Sequence, residues 1–333
     1  MARYKAIWLL FLLLLVTGCT SCGGGAGKQD DNNPPPQTTV EFDSTRAFAD
    51  LERQCEFGPR IPGSQAHANC LAWLVQQLGT ADQVVQQPFE SSTTFGGPYN
   101  FTNVLAIYGK DKPGVPFLLC AHWDCRPKAD EDPDPANQDK PVPGANDGAS
   151  GVAVLLELAR LMATNPPPRP IILAMLDAED SGQSGSGELY SGFCLGAKYL
   201  ATHWPSALAK PTEGVLLDLV GGDDVANPRC PPRFGGNNIL DFPIERNSQS
   251  YNPTLVSALW TIADERGHTA FKRTTGSSIT DDHLPLNAGG IKVIDIIDFP
   301  PPEWHTIDDT PANCSAAALY QTGDTLARYI WGD

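Results

Sequence analysis

A chain of 333 residues, 41% of them hydrophobic, has ample material for one large α/β domain or two small ones. Acidic residues outnumber basic ones 39 to 23, for a net charge of −16. That balance argues against non-specific nucleic-acid binding, which needs a basic patch.

The first elements concern export. Arg3 and Lys5 precede an uncharged apolar run, Ala6–Val16, too short to span a bilayer as a helix; residues 1–18 read as a secretory signal peptide. The run ends Val16-Thr17-Gly18-Cys19, which resembles a bacterial lipobox and implies Cys19 as the lipid-modified first residue of the mature chain. Residues 19–39, rich in Gly, Asn and Pro, then form a flexible tether. The expectation is an exported protein, anchored to the bacterial cell envelope only through that lipid. Nine cysteines, with no CxxC pair, leave the disulfide pairing open.

Ser44–Glu56 is predicted as the first helix, with Ser44 as its cap, and Gly58–Ser64 breaks it. A second helix covers about Gln65 to Leu78. Gln83–Phe89 and Phe101–Tyr108 read as strands joined by a loop ending in Gly96-Gly97-Pro98. Val115–Ala121 is wholly apolar, as a buried strand is, and runs into His122-Trp123-Asp124. A long loop to Pro143 contains Asp130–Asp134, DEDPD, read as solvated. Gly144–Glu157, GANDGASGVAVLLE, follows: a glycine-rich turn presenting Asp147 and running into a helix with Val152, Leu155, Leu156 and Leu158 on one buried face. On its own, Asp147 reads equally as a helix cap.

Pro170–Leu176 is a second buried strand ending in Asp177-Ala178-Glu179-Asp180, and a Gly/Ser loop leads to a helix near Tyr190–His203. Gly214–Leu219 is a third strand and Ile291–Ile297 a fourth; Pro253–Gly267 and Asn313–Trp331 are helical, and Asp281-Asp282-His283 begins a turn. Strands alternating with helices predict an α/β fold with a mixed, largely parallel central sheet flanked by helices.

His122, Asp124, Glu179, Asp180, Asp218 and His305 fall at or just beyond the C-terminal ends of buried strands, where ligands bind in open parallel sheets. So many carboxylates in one cleft repel one another unless a cation neutralises them. A His and carboxylate set without cysteine suits Zn²⁺ with an open position, and histidine disfavours Ca²⁺. Glu179 can then act as a general acid/base beside the metal. No GxSxG elbow supports a serine hydrolase, and no GxGxxG or Walker loop follows a strand. Arg60 reads as a loop tie, Trp123 as packing, and His67, His203 and His268 have no evident partner.

With HxD, GANDGASG, the Glu179-Asp180 pair, Asp218 and WHT in this order, the chain resembles the zinc aminopeptidase-like family of co-catalytic metallopeptidases, and more narrowly the exported bacterial glutaminyl cyclases. The likeness covers residues 44–333, so residues 40–333 are expected to be a single domain of that fold, also described as phosphorylase/hydrolase-like. Asp281 before Asp282-His283, Trp304 before His305, and Asp218-Leu219-Val220-Gly221 favour the cyclases over the peptidases. The resemblance implies one Zn²⁺ per chain held by Asp147, Asp180 and His305. It implies Glu179 as proton shuttle with Asp218 and Asp281 as its hydrogen-bonded partners, and Trp304 lining a pocket for a glutamine side chain. His122 and Asp124 match positions that complete a second metal site in the peptidases. Asp180 stands where animal cyclases carry glutamate. The tryptophan that those enzymes carry a few residues past this pair has no counterpart in Ser181–Ser191, leaving one pocket wall unassigned.

The implied reaction is cyclisation of N-terminal glutaminyl residues of peptides or proteins to pyroglutamate with release of ammonia. A di-zinc aminopeptidase, with His122 and Asp218 completing the second site, is the alternative. A lipid-anchored binding module that keeps only the fold is the third reading.

Overall fold

A computed structural model of the chain describes residues 40–183, 192–222 and 240–332. The expected signal peptide, lipid-modified Cys19 and tether lie outside the described residues, as do residues 184–191 of the Gly/Ser loop.

The helices are α1 (Ser44–Glu56), α2 (Gln65–Gln77), α3 (Ala149–Thr164), α4 (Leu195–Thr202), α5 (Arg246–Tyr251), α6 (Pro253–Arg266), α7 (His283–Ala288) and α8 (Ala316–Trp331). The strands are β1 (Gln83–Thr93), β2 (Gly96–Tyr108), β3 (Phe117–His122), β4 (Ile171–Leu176), β5 (Glu213–Asp218), β6 (Phe242–Ile244), β7 (Phe271–Thr275) and β8 (Lys292–Ile297). Six of them form the main sheet in the order β1-β2-β4-β3-β5-β8, while β6 and β7 pair separately. β3, β4, β5 and β8 run parallel; the β1–β2 hairpin joins antiparallel through β2 and β4. The mixed, largely parallel α/β architecture expected from the sequence is the one observed.

Side chains alternate across a strand, and β3 shows the consequence. Phe117, Leu119 and Ala121 enter the core shared with α1, α3 and α8, while Leu118 and Cys120 enter a second core against α4 and α7. Both faces of the sheet are therefore covered, which is why β3 and β4 read as unbroken apolar runs. Parallel central strands leave their C-terminal ends pointing to one edge, and the polar residues after them gather there.

Several local expectations change. Asp43, not Ser44, caps α1, its carboxylate accepting from Arg46 N at 3.1 Å. The hairpin strands continue through the expected loop, so that Gly96-Gly97-Pro98 belongs to β2. β3 starts at Phe117, with Val115 exposed. α3 is buried from Ala149 to Ala159 rather than along one stripe, since it lies between the sheet and α1 and α8. The helix expected near Tyr190–His203 spans Leu195–Thr202. His67 has a partner: Nε2 lies 2.9 Å from Asp177 Oδ1, and its ring stacks on Trp123. His268 meets Asp324 Oδ2 at 2.8 Å. Cys55, Cys70, Cys120, Cys125 and Cys194 are free thiols.

Candidate active site

β3 delivers His122 at its end and Asp124 just beyond; β4 is followed by Glu179 and Asp180; β5 ends at Asp218. Asp147 arrives from the turn before α3. Gly148, with φ +86°, is the N-cap of that helix and makes no side-chain cap bond, so Asp147 is free of capping and faces the cleft. The turn is pinned from behind by Asp309, which accepts from Asn146 N at 2.7 Å and Asp147 N at 3.1 Å. Arg60 ties the same region by donating to Trp123 O, Pro143 O and Gly144 O, the role expected of it.

Backbone strain concentrates at this edge. The four non-glycine residues with left-handed backbone among the described residues are Ala178, Cys194, Leu219 and His305, with φ between 51° and 58°. Each adjoins or belongs to the site. Such conformations cost about 1–3 kcal/mol each and persist where the surroundings enforce them.

Asp147, Asp180 and His305 converge: each offers one ligand atom, and these lie within 4.8 Å of one another, all three residues buried. His305 Nε2 is 3.3 Å from Asp180 Oδ1 and 3.8 Å from Asp147 Oδ2. Asp180 Oδ2 is buried with no hydrogen-bond partner, the orphaned acceptor that a cation would satisfy. Two carboxylates and an imidazole, with a cavity on the open side, fit Zn²⁺. A second group, His122, Asp147 and Asp218, shares Asp147; His122 Nε2 lies 3.0 Å from Asp147 Oδ1 and 3.2 Å from Asp218 Oδ1. Asp124 backs both features. It stands 3.4 Å from His122 Nδ1 and accepts from Glu179 N at 3.0 Å and Asp180 N at 3.2 Å, fixing the pair.

Glu179 and Asp281 each place a carboxylate oxygen within 4.8 Å of the other and of Cys194 Sγ. The Cys194 thiol donates to Glu179 Oε1 at 3.4 Å. Burial, then the charges of Asp180 and Asp281, push the Glu179 carboxyl well above its ordinary range. Burial and Asp218 do the same to Asp281. Burial would also lift Asp180, but His305 and Arg126 override it and hold that carboxyl down to about 2.

A cavity of about 270 Å³ opens over these groups, with Asp147, Glu179, Asp180, Asp218, Asp281 and His305 in its lining. Phe193, Ile279, Ile297, Phe299 and Trp304 supply its apolar lining. The Trp304 indole stacks on the His305 ring at 3.7 Å and meets Phe299 edge-on at 4.9 Å. Phe193, which follows the Gly/Ser loop, is one of the aromatic residues lining the cavity.

The sequence did not point to Arg126, Asp309, Cys194 or Phe193. Arg126 is buried and donates to Asp180 Oδ1 at 2.7 Å. The loop read as solvated is also different. Asp132 is buried, its Oδ2 accepting from Ile307 N at 3.2 Å, and Glu131 N donates to His305 O at 3.2 Å. The DEDPD loop thus clasps the segment that carries His305. The available signal was Arg126 placed four residues before Asp130, in a loop leaving a buried strand.

Comparison with known proteins agrees with this geometry. Residues 103–330 match peptidase family M28. The structure superposes on the crystal structure of Tannerella forsythia glutaminyl cyclase with a TM-score of 0.80 and 33% identity, covering 88% of this chain and 99% of that one. For the glutaminyl cyclase of Bacteroides thetaiotaomicron, in its complex with N-acetylhistamine, the TM-score is 0.79 with the same identity and coverage. A leucine aminopeptidase precursor from that organism also matches, at 33% identity and a TM-score of 0.79, over 88% of this chain and 98% of that one. Among curated relatives, the glutaminyl-peptide cyclotransferase of Bos taurus is 27% identical over 305 residues, 82% of this chain and 77% of that protein. The chain spans only 37% of a probable zinc metalloprotease of Leptosphaeria maculans, at 30% identity over 167 residues. The chain belongs to peptidase family M28, in the branch that contains the bacterial glutaminyl cyclases.

Proposed function

We propose that the protein is a zinc-dependent glutaminyl cyclase, converting N-terminal glutaminyl residues of peptides or proteins to pyroglutamate with release of ammonia. The observation that carries this reading is the convergence of Asp147, Asp180 and His305 beside Glu179, under a cavity walled by Trp304 and Phe193. Asp147, Asp180 and His305 would hold one Zn²⁺ per chain, which when bound would supply Lewis-acid polarisation of the substrate's side-chain amide carbonyl.

The protein's own groups do the rest. A cavity of about 270 Å³ admits a single side chain rather than a large ligand. Trp304 and Phe193 hold its methylenes and exclude water. The α-amine attacks the amide carbon of its own side chain. Glu179 takes the proton from that amine and returns it to the departing nitrogen, so that one C–N bond forms as another breaks and ammonia leaves. A carboxyl whose proton affinity is raised by burial can both take and give a proton near neutral pH. Asp281 faces Glu179, and Asp218 lines the same cavity. Since nucleophile and electrophile share one residue, orientation supplies most of the rate enhancement.

The N-terminal segment supports the further reading of an exported protein, lipid-anchored through Cys19, with residues 40–333 as its enzymatic domain. A di-zinc aminopeptidase is the second reading, favoured by the His122, Asp147 and Asp218 group and by the aminopeptidase precursor among the structural neighbours. Incubation with a Gln-initiated peptide tests both. Ammonia release with the corresponding mass loss, abolished by a chelator, is the expected result. Release of free N-terminal amino acids without cyclisation would overturn it.

A further inference from the structure

A buried arginine is rarely incidental, because its charge must be paired, and the two buried arginines beside this cavity are paired differently. All the Arg60 bonds go to backbone carbonyls, as those of a loop tie do. Each of the three Arg126 side-chain nitrogens donates to a carboxylate. Nη1 donates to Asp180 Oδ1 at 2.7 Å, while Nε and Nη2 clamp the two oxygens of Asp130 at 2.6 Å each. Asp130 Oδ1 in turn faces His305 Nδ1 at 3.7 Å, and that ring nitrogen is buried without a hydrogen-bond partner. The guanidinium sits 5.5 Å from the ring centres of both Phe95 and Phe193, so its plane is fixed and one wall of the cavity rests against it.

We infer that Arg126 and Asp130 are positioning residues that hold two of the three metal-binding side chains, Asp180 and His305, in a shared frame; this rests on the zinc reading above. Arg126 occupies one oxygen of Asp180 and leaves Oδ2 open. Asp130 presents a carboxylate to the far nitrogen of His305, which leaves Nε2 directed at Asp147 and Asp180. Outer partners of this kind orient metal ligands. A cation beside a zinc site has an opposing effect, since like charges repel. Here Asp130 pairs the guanidinium at two points and offsets part of its charge, which favours orientation over repulsion. The frame also fits the short Asp180 side chain, which has fewer rotatable bonds than glutamate and is held at its tip by a single planar group.

Zinc affinity, measured on the full chain by competition with a chromophoric chelator, tests this directly. Arg126→Met and Asp130→Asn should each weaken zinc by at least about tenfold. Arg126→Lys keeps a charge but not the fork, so it should fall between Arg126→Met and the parent. Asp130 is about a third exposed (32%), so its variant folds even where loss of the buried guanidinium does not, and it then decides alone. Zinc held within twofold of the parent, or more tightly, by these variants overturns the inference while leaving the proposed function standing. A parent protein that binds no zinc would sink both.

Discussion

Glu179 bears two demands that pull against each other: it must give up a proton beside other carboxylates, yet be ionised often enough to accept one. Its backbone N is held by Asp124, its side chain accepts from Cys194, and burial with Asp180 and Asp281 raises its proton affinity. Glu179→Gln keeps the shape and removes the shuttle. Turnover of a Gln-initiated peptide should fall by about 10²–10⁴ with zinc content unchanged; retention of most of the activity would exclude Glu179 as the shuttle. Gly148 makes a different kind of demand. At φ +86°, an added Cβ would lie 2.6 Å from the His122 ring and carbonyl oxygen, so Gly148→Ala must move Asp147 or His122. A loss of roughly 1–3 kcal/mol is expected, read as a lower denaturation midpoint, and zinc affinity should fall with it. Asp180 and His305 were candidates because they follow buried strands and Asp147 because it opens the helix after one, but only the resemblance to the cyclases singled the three out as one ligand set. Arg126 was not, because its long side chain acts far from its own place in the sequence, 54 residues before Asp180.

Helices α6 and α8 are joined by one buried carboxylate. Asp324 on α8 accepts from Arg266 Nε at 2.8 Å and lies 2.8 Å from His268 Nε2 just past the end of α6. Burial opposes ionisation, but His268 and Arg266 prevail and hold the carboxyl down to about 2. The folded value lies below the unfolded one of about 3.9, so this contribution is present above the unfolded value and lost as pH falls from about 4 towards 2. Asp324→Asn should therefore destabilise by roughly 2 kcal/mol at pH 7, and the gap should close as the medium is acidified through that window. Denaturant midpoints of both proteins across that range check it; a gap unchanged at the acidic end would show that charge is not the cause. The long elements here were readable from pattern alone, α1 and α6 to within a residue at each end. Three-residue β6 and six-residue α5 were not, because so few residues complete neither an alternation nor two helical turns. The hairpin was underread for another reason: Gly96 and Gly97 signal a loop locally, yet pairing with β1 carries β2 through them.

At the scale of the whole molecule, the sheet edge gathers carboxyls that resist being ionised together. Burial, and in each case at least one neighbouring carboxylate, pushes the carboxyls of Asp147, Glu179, Asp281, Asp295 and Asp309 upward. A divalent cation relieves that repulsion in the folded state only, so zinc at a hundredfold excess over its dissociation constant should add about 2.7 kcal/mol of stability. Removing it with a chelator should lower the melting temperature and abolish cyclisation together, and re-addition should restore both. The number of ions separates the two enzymatic readings. Because Asp147 belongs to both ligand groups, a second ion would have to share it and displace the contact between His122 and Asp218, 3.2 Å apart. Metal analysis of the purified protein should give one zinc per chain. Asp218→Asn should leave that number at one, whereas His305→Ala should bring it near zero. Two tightly held zincs in the parent, falling to one in Asp218→Asn, would instead identify the paired site of an aminopeptidase.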